Sequence, residues 1–475
     1  MSPVFRIARE EWRLMWRDRV AASGLVLLVL LAGVAAFTAW DQRQASAAER
    51  TRHQAQVDHE FDTQPDRHPH RMVHYGHFVF RAPGPLAAFD PGVDAFTGHT
   101  LFLEGHRQNS ANFGDVRQSS LLLRFGQLTP AFVLQVLAPL LLVFVGHAAV
   151  AREREAGTLR VLLAQGVKPA RLVAGKALAL GGVAGVVLLP ALAALAAIGV
   201  STPGQGGPAA VLALGYAAWL AIWVAGIVGV SAWLARGRDA LLLLLAAWTA
   251  CVVVVPRLAP EVAAARTALP TRFETDIAIA RDLAAIGDSH NPDDPYFAGF
   301  RQQVLARYGV ARIEDLPVNY KGLVGMEGER LTSELFARYA AEGFERQAAQ
   351  LAWVDRFAWL SPMVALRRLS MAAAGSDLVQ YRRFVEQAER HRYALVQNLN
   401  RLQAEQLTLR GDKSSRDNRI SATHWHGAAD FHLEPEATGD TLRRAAPAAG
   451  ALALWLLGLS LATVPATRRL GREAR

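Results

Sequence analysis

Apolar residues in this chain gather into long unbroken blocks, not into the alternating or three-to-four-residue stripes of soluble elements. The blocks fall at Val20–Trp40, Leu128–Ala151, Ala177–Val200, Ala209–Ala235, Ala240–Val255 and Ala446–Ala466. A helix rises about 1.5 Å per residue and the hydrocarbon of a bilayer is about 30 Å thick, so about 20 apolar residues suffice to cross it. The fifth block is the shortest, and Pro256 is expected to close it. The pattern predicts an all-α polytopic membrane protein. Its six transmembrane helices (20–40, 128–151, 171–200, 209–235, 240–256 and 446–466) are interrupted by two large insertions, 41–127 and 257–445.

Charge orients this arrangement. Of 475 residues, 52% are hydrophobic and 20% charged, with a formal net charge of +9. In a soluble protein such an excess would suggest nucleic acid as a partner. Here the basic residues flank the apolar blocks, so nucleic acid is set aside and the excess is read as a topology signal. Arg6, Arg9, Arg13, Arg17 and Arg19 precede the first block. Arg152, Arg154, Arg160, Lys168, Arg171 and Lys176 follow the second, and Arg468, Arg469 and Arg472 follow the last. The loop Ser201–Pro208 carries no charge. Both termini, including the tail 467–475, are therefore expected on the cytoplasmic side of a bacterial inner membrane, with both insertions extracytoplasmic. Ala45-Ser46-Ala47 has the form of a signal-peptidase site, but the preceding apolar run is too long for a signal peptide and is read as an anchor. Residues 1–19 place Phe5, Ala8, Trp12 and Met15 on one face among arginines, the pattern of a helix lying in the membrane interface.

The candidate chemistry is sparse. His147 is the one ionisable side chain within the apolar blocks besides Cys251, whereas ion-coupled carriers place charged groups near the membrane midplane. There is no His-Glu-x-x-His pair, no Gly-x-Ser-x-Gly elbow and no Gly-x-x-x-x-Gly-Lys-[Ser/Thr] loop. No catalytic residue and no cofactor are assigned, the chain is read as a non-enzyme, and any ATP hydrolysis is expected in a partner. Gly181 and Gly185, and Gly226 and Gly229, are expected to thin helix faces for close packing.

Residues 152–170 form the most specific stretch. Arg-Glu-Arg-Glu-Ala-Gly-Thr-Leu-Arg-Val-Leu-Leu reads as a short amphipathic helix, with Gly166 ending it and Pro169 opening the next. This segment resembles the Glu-x-Glu-x-Gly-Thr-Leu-x-x-Leu-Leu pattern of permease subunits of type-2 ABC transporters, which have six spans each. The resemblance implies a coupling helix, with Glu153, Glu155, Gly157, Thr158 and Leu159 facing an ATP-hydrolysing subunit and Leu162 and Leu163 packing beneath. Gly175-Lys176 and the stretch Arg9–Asp18 are similar to the same class. Leu360-Ser361-Pro362 and Ala374-Gly375-Ser376-Asp377 resemble a subgroup with large periplasmic domains, related to permeases of nitrous-oxide-reductase maturation and gliding motility. The implied partners are an ABC ATPase, a second permease protomer (identical or related), the lipid bilayer and a periplasmic protein. The implied function is export driven by that ATPase. The alternative is an ATPase-coupled scaffold that passes motion to its outer domains and moves no substrate.

Within the second insertion, Leu331–Trp359 and Asp377–Leu409 are long amphipathic stretches expected to form an antiparallel helical hairpin. The first insertion is rich in histidine, holding eight of the chain's 14. His68, His70, His74 and His77 are the most densely spaced and form the candidate metal-ligand set, since imidazole suits zinc and copper. The plainer alternative is a polar surface with no metal.

Overall fold

The computed structural model of the chain describes residues 2–94, 96–109, 128–291, 293–413, 417–426 and 430–472. Helices make up nearly all of its regular structure. The membrane-length part begins with α1 (Pro3–Arg17), α2 (Arg19–Asp62), α3 (Pro69–Tyr75), the strands β1 (His77–Phe80) and β2 (Thr100–Leu103), and α4 (Pro130–Glu155). It continues through α5 (Thr158–Ala164), α6 (Pro169–Ser201), α7 (Gly206–Trp233) and α8 (Gly237–Arg266). Then follow α9 (Arg272–Ile286), α10 (Pro295–Tyr308), α11 (Tyr320–Arg356), α12 (Pro362–Ala374), α13 (Leu378–Gln406) and α14 (Thr438–Arg472). Among the described residues, six helices are long and apolar enough to cross a membrane: α2, α4, α6, α7, α8 and α14.

These six share one apolar core with α7 at its centre. Tyr216, Trp219 and Ile227 are fully buried on α7, and the Trp219 indole N–H donates to the Leu134 carbonyl at 3.0 Å. Gly226 and Gly229 face Leu459 and Thr463 of α14, as expected of a thinned face. Gly181 and Gly185 instead open onto empty space and take no part in packing within the chain. The outer helices α8 and α14 keep most of their apolar surface exposed, with Leu242, Leu243, Leu457 and Leu461 outward. Side chains of that kind are stable only against lipid or another apolar surface.

Two spans run further than the apolar pattern indicates. The first helix does not stop near Trp40 but continues to Asp62, because residues 41–62 contain helix formers and neither glycine nor proline. The fifth passes through Pro256 and Pro260 to Arg266. A π-helical turn at Thr249–Val254 precedes Pro256 and relieves the clash its ring would cause with the turn before it. Proline lacks an N–H, and the Cys251 carbonyl left without a donor accepts from Ser361 Oγ at 2.6 Å. The same Ser361 caps α12 by accepting from the Met363 N–H at 3.2 Å. The Leu-Ser-Pro motif is thus the joint where a second-insertion helix meets the fifth span.

The expected all-helical architecture holds, with one short pair of strands added. β1 and β2 form an antiparallel hairpin, pairing His77 with Leu103 and Phe80 with Thr100. Each strand is four residues long, too short for an alternating pattern to stand out, although both are rich in β-branched or aromatic residues. In the second insertion α11 and α13 lie antiparallel, as Gly322 beside Ala404, Glu329 beside Arg392 and Phe344 beside Tyr381 establish. They are not joined by a simple turn. Between them α12 dips back and packs on α7 and α14, burying Met363, Leu366 and Leu369.

The two insertions form one body. Phe61, Met72 and Val73 of the first pack with Val396, Leu399 and Trp425 of the second. A neighbouring cluster joins Val79, Leu101 and Leu103 of the hairpin to Phe384 and Ala388 of α13. The outer half of α2 runs along the hairpin, where Gln54 accepts from the Phe80 N–H at 3.0 Å and Asp58 pairs with His77 at 2.8 Å. At the base of this body, buried Asp90 accepts from Ser370 Oγ at 2.5 Å. Ser370 in turn meets the Tyr216 hydroxyl at 2.9 Å, and Gln135 lies 2.7 Å beyond it. A polar chain therefore links the head to α12, α7 and α4.

The crossing of α11 and α13 is close. A Cβ on Gly322 would lie 2.4 Å from the Ala404 backbone nitrogen, which no side-chain rotation relieves. Gly322→Leu is expected to splay the helices and cost about 1–3 kcal/mol or more as overpacking. Thermal unfolding in detergent would measure it, and a melting temperature equal to wild type would contradict the crossing.

Candidate functional site

The segment between α4 and α6 is held by carboxylates that turn inward. Residues Ala151–Glu155 complete α4, Ala156 and Gly157 reverse the chain, and α5 follows. Gly157 has φ 70°, a left-handed conformation that glycine adopts without strain. The helix α5 buries Leu159 and half-buries Leu162 and Leu163 against the common core, as the amphipathic pattern predicts.

Glu153 is half-buried and Glu155 exposed, yet both carboxylates are engaged within the chain. Lys176 on α6, only 2% exposed, reaches Glu153 Oε1 at 2.7 Å and also bonds Glu11 of α1. Arg152 meets the other oxygen of Glu11 at 3.0 Å, and Glu153 also accepts from the Thr158 hydroxyl. The Glu155 carboxylate accepts the Gly237 N–H at 3.0 Å, at the start of α8, where the helix dipole favours a negative charge. Arg154 Nη1 donates to the Leu234 carbonyl at 2.5 Å, just past the end of α7. Four consecutive positions, Arg152 to Glu155, thus fasten α1 and the ends of α6, α7 and α8. The exposed residues of this segment include Glu155, Gly157, Thr158, Arg160, Val161 and Ala164, with Val161 55% exposed.

The helix α1 lies across α6 with Ile7, Ala8, Trp12 and Met15 inward, while Phe5 and Trp16 stay exposed. Glu11 on this face was not singled out by the sequence reading. The one sign available was an acidic residue on the apolar face of a basic helix. Lys176 was placed only as part of a Gly-Lys pair, and its role as the shared cation between two carboxylates follows from the tertiary arrangement alone.

The histidine-rich region forms a second site, with a membership that differs from the spacing-based set. His68 is taken by Asp412, and His77 by Asp58 at 2.8 Å. His70 and His74 remain together, their Nε2 atoms 3.1 Å apart. The partners of His70 are His106, from the turn after β2, and His290, from the loop between α9 and α10. Ligand-capable atoms of His70, His106 and His290 all lie within 4.8 Å of one another. His290 lies far along the chain in a second-insertion loop, and local spacing carried no sign of it. Burial, followed by the neighbouring imidazoles His74, His106, His68 and His290, lowers the His70 pKa to about 4. His106 is lowered by burial as well, against the raising effect of Glu329. Both rings are therefore neutral near pH 7.

The fold and these sites define a helical protein with, among the described residues, six helices long and apolar enough to cross a membrane, carrying one folded head built from both insertions. A domain of unknown function, DUF3526, matches residues 272–434, which takes in α9 to α13 of that head. No curated protein matches the chain.

Proposed function

We propose that this protein is the permease subunit of a type-2 ABC exporter, driven by a separate ATP-hydrolysing subunit that docks on residues 151–167. The observation that carries this reading is the fastening of α1, α6, α7 and α8 to one short segment through Arg152, Glu153, Arg154 and Glu155. A push on α5 then reaches four helices at once, which is what a coupling element needs. In this reading Glu153 and Glu155 transmit movement inside the subunit, and Gly157, Arg160 and Val161 make the contact. The docking face lies in the cytoplasm with both termini, the head lies outside the inner membrane, and a second permease protomer completes the pathway.

A second reading has its own support. α12 is wedged between α7 and α14 and continues into the head, tied there by Ser361, Ser370 and Asp90. Such a link could pass motion to the head with no cargo crossing, as in an ATPase-coupled scaffold.

The test is affinity purification of the tagged chain from its native membrane, beside an Arg160→Glu, Val161→Glu variant. These residues are exposed, so folding should be unaffected. A nucleotide-binding subunit that accompanies the wild type and falls by about tenfold or more with the variant, a loss of about 1.4 kcal/mol in binding, is the expected result. A subunit retained equally by both would move the docking face elsewhere, and none with either would remove the ABC reading.

A further inference from the structure

We propose that His70, His106 and His290 form a three-imidazole site for a borderline divalent transition-metal ion of the zinc class, joining the loop 288–291 to the first insertion. Several independent features converge there. The three residues come from α3, from the turn after β2 and from the matched domain, so neighbouring positions in the sequence cannot explain the cluster. His106 has φ 64°, the one non-glycine residue with positive φ among those described. Such backbone is adopted at a cost and recurs where a side chain must be aimed. Its Nε2 is buried and has no hydrogen-bond partner, a lone pair or proton with nothing to meet.

The other side of the His106 ring is held in place. Fully buried Glu329 accepts the His106 backbone N–H at 2.9 Å, and its Oε2 lies 3.6 Å from Nδ1. Arg392 fixes that carboxylate from behind at 2.5 Å. A carboxylate behind a ligating imidazole is the usual outer-shell arrangement, setting both tautomer and ring orientation.

The chemistry selects the ion. Three imidazoles and no sulfur or first-rank carboxylate favour zinc-like cations over calcium or magnesium, which want oxygen. A tetrahedral site with Zn–N near 2.0–2.1 Å needs nitrogens about 3.3 Å apart. The observed spread of up to 4.8 Å requires the rings to draw together, and exposed His290, whose Nδ1 lies 3.4 Å from Asp288 in the same loop, is the ring with room to move. The fourth position faces a cavity of about 610 Å³ lined also by Arg301, Tyr320 and Lys321, so water or an exchangeable ligand can fill it. His74 stays outside the ligand set and positions His70 through their 3.1 Å contact.

The experiment uses the full chain in detergent, purified without a histidine tag and stripped with chelator. Zn²⁺ is titrated by calorimetry, Co²⁺ by visible absorption, on the wild type, His106→Ala, His290→Ala and the control His53→Ala on α2. One Zn²⁺ per chain and a tetrahedral Co²⁺ spectrum are expected. The His106 and His290 variants should lose more affinity than the roughly 10–100-fold typical of an outer-shell change, with His53→Ala unchanged. His290→Ala replaces an exposed side chain, so its metal-free melting temperature should equal wild type and separates a lost ligand from a lost fold. Wild-type binding below stoichiometry, or His290→Ala binding with wild-type affinity, would overturn the proposal.

Discussion

Arg392→Met is expected to destabilise the head by about 3–5 kcal/mol, the effect of breaking a buried ion pair by removing one member. Arg392 is 1% exposed and Glu329 fully buried, so little water reaches either. The guanidinium also bonds Glu389 at 2.6 Å, the Ser333 hydroxyl at 2.7 Å and the Glu104 carbonyl at 3.1 Å, crossing from α13 to α11 and to the hairpin. Methionine fills the volume but leaves the Glu329 carboxylate without its cation in a dry site. The double variant Arg392→Met, Glu329→Leu removes the stranded charge and should recover a large part of the loss, although the His106 N–H then loses its acceptor. Denaturant unfolding of the full chain, as a double-mutant cycle, reads both quantities. A single-variant loss under about 1 kcal/mol, the range of exposed pairs, would mean that the pair is hydrated.

Lys176→Met should have a comparable effect at the other end of the molecule. Here one ammonium serves two carboxylates, Glu11 and Glu153, so its removal leaves two like charges facing each other inside the protein. The expected cost is again about 3–5 kcal/mol. The location of the damage is specific. α1 should come away from α6 and unwind, making its backbone at the already exposed Arg9, Arg13 and Arg17 cleavable by trypsin in detergent while the head stays resistant. Lys176→Arg keeps the charge in a bulkier fork and should fall between wild type and methionine. Trypsin resistance of α1 in Lys176→Met would show that apolar packing of Ile7 and Trp12 alone holds the helix.

The parts legible in the sequence are those fixed by local chemistry. Apolar blocks with basic flanks gave all six long helices, since each must be apolar over its own length whatever its neighbours do. The paired stretches around Leu331–Trp359 and Asp377–Leu409 emerged as α11 and α13 for a similar reason. Their common body with the first insertion was hidden, because Val73 meeting Leu399 and Leu101 meeting Phe384 leave no trace in periodicity. α11 starts at Tyr320, ahead of the expected Leu331, and its added turns hold Gly322, Gly325 and Gly328, weak helix formers that close packing against α13 and the Ser289 loop accommodates. Charged residues proved hardest to read. Glu153 and Glu155 appear in a solvated-looking run, yet they bond Lys176 and the Gly237 N–H, and only tertiary structure distinguishes a carboxylate engaged within the chain from an unengaged one. The histidines divide likewise. His68 and His77 lie close to His70 in sequence, but carboxylates elsewhere claim them, while His106 and His290 reach it by folding.

The unbroken helix α2 has a mechanical meaning. Its 44 residues extend about 66 Å at about 1.5 Å per residue. One end adjoins the segment where Lys176 gathers its carboxylates, and the other places Phe61 beside Trp425 in the head. It is one continuous helix, with no proline along its length and no glycine beyond Gly33, so it behaves as a rod spanning the molecule. Each degree of tilt at its base then moves its far end by about 1 Å, since arc length scales with that length. The head is geared to the spans, and a change of angle too small to alter any contact in the bundle would register there as a displacement of several ångströms.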